Sequence, residues 1–217
     1  MSIWLCAPGP CATPWFEHHG PYPAGMMSPS SFLDLMDGKS DIRRFSRAEY
    51  RALGAAGVIG ADEKVELLDG LVMTLPPQGA DHAETIVRLS TVLVRALAGR
   101  AEVKVQLPFA ASDYSEPVPD LLLAPIGALE RGAHCIIEIA VTSQRRDRRK
   151  ATIYAHAKVP QLVFVDVPRR EARVFRKPHD GDYALIELYR DGAPIVVDAF
   201  ADVTLDLAWV LPRGGIP

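Results

Sequence analysis

Apolar and polar positions change their spacing along the chain in a way that separates strands from helices. In "KVELLDGLVMTLP", residues 64–76, two short apolar runs flank Asp69-Gly70. An Asp-Gly pair between such runs supplies two residues that tolerate positive φ, so the segment predicts a tight β-hairpin. Residues 80–98 then recur at helical spacing, with Ile86, Leu89, Leu93, Val94 and Leu97 as the apolar set and Gly99 to close the C-terminal end. Upstream, "RRFSRAEYRALG" offers Ser46 as the cap of a short helix carrying Tyr50 and Leu53. "AEVKVQLPFA" alternates as a strand, whereas "LLLA" after Asp120 and "CIIEIAVTS", residues 135–143, read as buried strands. A second helix is expected over about 146–157. "QLVFVDV", "EARVFRK" and "DYALIELY" follow as strands, the first buried and the second an edge, and "LDLAWVL" closes the chain as a short helix. Helix, strands, helix, strands in that order predicts an α/β fold, a single mixed sheet with helices packed against it.

A chain of 217 residues with 48% hydrophobic and 24% charged residues favours one globular domain with a full core. Residues 1–40 are rich in Pro, Gly and Ser and carry no sustained period, so they read as a mobile extension ahead of a domain at 41–217. Met26 or Met27 is an alternative start that would leave the earlier residues outside the natural protein. The net charge of −3 gives no global attraction to nucleic acid, so any such binding must rest on a local patch. Three cysteines, Cys6, Cys11 and Cys135, have no zinc-ligand spacing and suit a reducing compartment. The apolar runs are strand-sized and the N-terminal stretch lacks the basic start of a secretory signal, so a cytoplasmic protein with no membrane partner is expected.

The chemistry concentrates downstream of the first long helix. In "PVPDLLLA" a carboxylate, Asp120, stands where an extended Pro-containing segment becomes an apolar strand; a solvated strand cap is one reading. The next strand carries Glu138 in its middle, and a charge inside a sheet needs a partner. Two carboxylates on neighbouring strands can share a divalent cation, Mg²⁺ or Mn²⁺, and Lys150 follows on the next helix. An acid pair that holds such a cation beside an ammonium group meets the needs of phosphodiester hydrolysis, in which a water must be acidified and charge on phosphorus offset. The run "RRDRRK" places Arg145, Arg146 and Arg149 at that helix start, either against a phosphate backbone or as a solvated face. Gln106, on the strand before Asp120, either faces the same cleft or points away from it.

Four pieces of sequence resemble one known family: "VELLDGLV" with "PPQGADHAETIVRLSTVL", then "PVPDLLLA", then "IIEIAVTSQRRDRRKATIYAHAKVPQLVFVD", and the closing "ARVFRK". Together they are similar to the Uma2 family of endonucleases, a branch of the PD-(D/E)XK, or restriction-endonuclease-like, superfamily, from about residue 45 to 205. The resemblance implies a mixed sheet flanked by helices, a metal-dependent DNA endonuclease, and Asp120 and Glu138 as the motif acids. It implies Lys150 as the motif lysine displaced onto the helix, since Ala140 stands two residues after the acid. Thr142 and Ser143 match the family's following serine only loosely. His82 matches a histidine at the start of the family's first long helix and is a third candidate for the cation, or else a residue that packs or caps there. Glu66 lies in the hairpin motif, as a further carboxylate behind the cation or as a salt-bridged strand residue. The rival from another class is an inactive module that keeps the nuclease scaffold for nucleic-acid binding or assembly. A homodimer is expected on the same grounds, with "EARVFRK" as the pairing edge.

Overall fold

Asp69 and Gly70 both take positive φ, 49° and 79°, and turn β1 (Val65–Leu68) directly onto β2 (Leu71–Thr74), with Leu68 opposite Leu71. Glycine is required at 70 for a second reason. A Cβ there would stand 2.5 Å from the Cβ of Arg44. The computed structural model describes residues 42–128, 130–140, 144–190 and 192–212, without the side chains of 140 and 144–146. The expected N-terminal extension, Cys6, Cys11, Thr142 and Ser143 lie outside the described residues.

Before the hairpin comes α1 (Arg47–Ala55), capped by Ser46 as its sequence anticipates. The Ser46 hydroxyl accepts the Glu49 N–H at 3.2 Å, and the Glu49 carboxylate accepts the Ser46 N–H at 2.9 Å. That reciprocal box satisfies two of the amides a helix start leaves open. After the hairpin, α2 (Ala80–Leu97) buries Ile86, Leu89, Leu93 and Leu97, but Val94 is 57% exposed and stands off the buried stripe. Ala98 takes a left-handed cap at φ 48° and donates its N–H to the Val94 carbonyl, and Gly99 follows at φ 81° as the sequence anticipates.

The remaining elements are β3 (Glu102–Val105), β4 (Leu121–Ala124), β5 (Cys135–Ala140), α3 (Gln144–His156), β6 (Gln161–Asp166), β7 (Glu171–His179), β8 (Asp182–Arg190), β9 (Pro194–Val197), β10 (Phe200–Asp206) and α4 (Leu207–Val210). Six strands form the central sheet in the order β3-β4-β5-β6-β7-β8. Every neighbouring pair is antiparallel except β5 and β6, which run parallel and are joined through α3. The β9–β10 hairpin, which the sequence reading did not separate from its flanks, forms a sheet of its own. The expected edge strand "EARVFRK" is interior. It is β7, paired with β6 on one side and β8 on the other, so the edge belongs to β8.

Strand alternation splits the core in two. Leu121, Leu123, Cys135, Ile137, Ile139, Val163 and Val165 face α2 and the β9–β10 hairpin. Leu122, Ala124, Ile136, Leu162 and Phe164 face Tyr154 of α3 together with Phe109, Phe175 and Tyr183. Each fully buried aliphatic or aromatic side chain contributes about 1.5–3 kcal/mol on leaving water, so the sheet is clamped on both faces. Cys135 is buried in the first cluster, as the strand reading implied. Among the described residues no helix is long and apolar enough to cross a membrane.

Candidate active site

Register decides whether the two acids can meet. Leu121 lies opposite Ile137 and Leu122 opposite Ile136, so the same antiparallel register carried one step further sets Asp120 opposite Glu138. Directly opposed residues share a face of the sheet, with Cβ atoms about 5 Å apart. Asp120 and Glu138 are therefore same-face neighbours at the end of β4, both nearly buried.

Asp120 is held from three directions. Its Oδ2 accepts the backbone N–H of Ile139 at 2.8 Å and lies 3.1 Å from Nε2 of His82, while Oδ1 accepts from the Gln106 side-chain amide at 3.3 Å. His82 reaches it from the first turn of α2, and Gln106 from just past β3, where a left-handed φ of 51° bends the chain and its N–H donates to the Asp120 carbonyl. A carboxylate can only accept, so the contact puts the imidazole proton on Nε2. Nδ1 is buried and without a hydrogen-bond partner among the described residues.

Glu138 is held on one oxygen. Its Oε1 receives Lys150 Nζ at 2.8 Å and the Tyr154 hydroxyl at 2.5 Å. Lys150 and Tyr154 are four residues apart on α3, so they project from one face of the helix onto the same strand. Lys150 also lies 3.3 Å from Oε2 of Glu66 and 3.4 Å from the Val118 carbonyl. Glu66, fully buried on β1, takes the Val118 N–H on that same Oε2 at 3.1 Å. Oε2 of Glu138 takes no hydrogen bond among the described residues and is the oxygen left for another ligand.

Burial dominates the ionisation of this group. It pushes the Glu138 carboxyl up to about 7, with Lys150 working against the rise and Asp120 adding to it. Burial also works to lower Lys150, but the negative charges of Glu138 and Glu66 outweigh it and leave the ammonium above its ordinary range. The Tyr154 phenol is driven well above its usual value, by burial first and then by Glu138, so it remains a donor.

The structure thus brings Asp120 together with His82 and Gln106, and Glu138 together with Lys150 and Glu66. Arg149 is engaged elsewhere, its Nε 2.9 Å from Oδ2 of Asp69 at the hairpin turn. The side chains of Arg145 and Arg146 lie outside the described residues. Tyr154 was missed by the sequence reading. A tyrosine at helical spacing looks like core, and the available signal was its place one turn after Lys150.

The donor set fits a hard cation of one kind better than another. Among the described residues no three His, Cys, Asp or Glu side chains cluster as a ready cage. Two carboxylates remain, and His82 is bonded to Asp120 rather than set beside Glu138 as a third arm. Mg²⁺ and similar ions are commonly held by one or two carboxylates, the rest of the shell being water and substrate oxygen, which this pair can satisfy.

A mixed sheet with opposed acids at the end of neighbouring strands, and a lysine on the helix that follows, defines the restriction-endonuclease-like class. Residues 47–208 match the Uma2 family, described as "Putative restriction endonuclease", and the chain belongs to that family. Its fold is similar to the crystal structure of "a putative nuclease belonging to DUF820 from Anabaena variabilis ATCC 29413", with a TM-score of 0.59 and 18% identity, covering 68% of this chain and 91% of that one. No curated protein matches the chain.

Proposed function

We propose that this chain is a Mg²⁺- or Mn²⁺-dependent endonuclease that hydrolyses phosphodiester bonds of DNA. The observation that carries the reading is the cross-strand pair Asp120–Glu138 on one face of the sheet, with Lys150 Nζ 2.8 Å from Glu138. Asp120 and Glu138 would hold the cation, which when bound supplies Lewis-acid charge to the scissile phosphate and acidifies a water. His82, Gln106 and the Ile139 amide fix the Asp120 carboxylate in one orientation. Tyr154 and Lys150 do the same for Glu138 through its Oε1. Lys150, kept protonated by two carboxylates, brings positive charge to where it develops negatively on phosphorus. DNA is the substrate class the family description suggests.

The test is nicking of supercoiled and single-stranded DNA in Mn²⁺ and in EDTA. Cleavage in Mn²⁺ that vanishes in EDTA, and vanishes in Asp120→Ala and Glu138→Gln with their folding intact, is the expected result. DNA bound but never cut would instead support an inactive nuclease-fold module for nucleic-acid binding or assembly. The ion pair that already satisfies one oxygen of Glu138 is the observation that favours this second reading.

A further inference from the structure

Hydrogen bonds fill one oxygen of each acid and leave the other open. A carboxylate has about two lone-pair sites on each oxygen. On Glu138 both sites of Oε1 are taken, by Lys150 Nζ at 2.8 Å and the Tyr154 hydroxyl at 2.5 Å. On Asp120 both sites of Oδ2 are taken, by the Ile139 N–H at 2.8 Å and Nε2 of His82 at 3.1 Å, while Oδ1 keeps one site beside the Gln106 amide. Each acid therefore offers a cation one oxygen, Oε2 of Glu138 and Oδ1 of Asp120.

The two donors on Glu138 differ in what else they can reach. Lys150 also meets Glu66 and the Val118 carbonyl, so it keeps acceptors if Glu138 turns. Tyr154 does not. Its ring is fully buried with Phe109, Leu122, Ile136 and Phe164, and among the described residues its hydroxyl bonds Glu138 alone. Turning Glu138 to present both oxygens would leave that phenol buried without an acceptor, which is costly. We infer that Tyr154 is a positioning residue that sets which cation the site prefers, by holding Glu138 to a single coordinating oxygen. The inference rests on the reading of Asp120 and Glu138 as the cation's ligands. Mg²⁺ takes an octahedral shell, keeps several waters and needs only one or two carboxylates, whereas Ca²⁺ takes about six to eight oxygens and often chelates a carboxylate through both. Two arms of one oxygen each suit the smaller ion and deny the larger one its chelating mode.

Free Mn²⁺ gives an electron paramagnetic resonance signal that bound Mn²⁺ loses, so its displacement from the full chain by Mg²⁺ or Ca²⁺ can be followed without DNA or turnover. Against the wild-type chain Ca²⁺ should compete no better than Mg²⁺. Tyr154→Phe keeps the buried ring and removes only the hydroxyl, which frees one site on Oε1, so Ca²⁺ should gain about tenfold on Mg²⁺. A variant that merely loosened the site would lose both ions together and leave their ratio where it was, and far-UV circular dichroism checks that the variant is folded. An unchanged ratio in folded Tyr154→Phe, or Ca²⁺ already ahead of Mg²⁺ by about tenfold in the wild type, overturns the inference while the cation site itself stands. A wild-type chain that holds no Mn²⁺, or Mn²⁺ held equally well by Asp120→Ala, overturns that site and the inference with it.

Discussion

Lys150 touches two carboxylates and a backbone carbonyl from inside the protein, and removing it would strand both acids. Lys150→Met at pH 8 should cost about 3–5 kcal/mol in urea denaturation, because an uncompensated buried charge is worse than no charge. Glu138 makes a different test, set by its raised pKa. A carboxyl near 7 in the folded chain and near 4.5 when unfolded binds more protons folded than unfolded between those values, so its contribution is full below about 4.5 and is lost as pH rises through about 7. Relative to Glu138→Gln, which cannot titrate, the wild-type chain should lose about 3 kcal/mol across that window. Cation binding runs the opposite way. Because the ligand must shed its proton, Mn²⁺ affinity measured by calorimetry should climb with pH up to about 7 and then level off. An affinity flat from pH 5 to 8 would mean that Glu138 is not a ligand.

At the scale of elements, the β1–β2 hairpin does more than turn the chain, since it carries Glu66 to Lys150 and Asp69 to Arg149 and so fastens the site to α3. Gly70→Ala would force a side chain into a left-handed backbone and against Arg44, and should cost at least about 1–3 kcal/mol by thermal unfolding while also lowering cation affinity. This hairpin was legible in sequence because Asp-Gly between apolar runs has a local meaning. The Ser46 cap and the Ile86–Leu97 stripe were legible for the same reason. What was not legible depends on neighbours that local pattern does not name. β7 alternates charges like an edge strand, yet its arginines are matched from outside: Arg173 lies near Asp147, and Arg176 pairs with Glu187 and Asp198. Its place in the sheet is a property of strand order. The β9–β10 hairpin did carry a signal, Ile195 and Val197 then Val203 and Leu205 buried in alternation, but a proline at its first position and a shifted register blurred it. At the site, Asp120 and Glu138 stood out because acids inside apolar strands require an account, whereas Tyr154 is apolar enough to pass as core.

For the whole molecule, the net charge of −3 gives no long-range pull on DNA, so under the proposed function affinity would have to come from a few cations near the acid pair. Under the proposed function the basic start of α3 would supply them, but Arg149 differs from the rest in being already paired. Arg149 is committed to Asp69, with both side chains partly buried, and a cation so paired releases no counterion from DNA when it stays where it is. Each phosphate contact adds about 0.9 to the slope of log affinity against log salt. Fluorescence anisotropy of a short duplex in EDTA, where no cutting can occur, should therefore give a slope to which Arg149 adds nothing. Arg149→Ala should leave the slope unchanged, whereas removing an arginine that does meet phosphate should reduce its magnitude by about 0.9. Asp69→Ala is the decisive variant. It removes a negative charge and releases Arg149 at once, so binding should tighten and the slope should steepen by about 0.9, one contact. If Arg149→Ala flattens the slope in the wild-type background, the arginine leaves its aspartate for phosphate on binding, and the hairpin turn then acts as a holder that yields Arg149 to DNA.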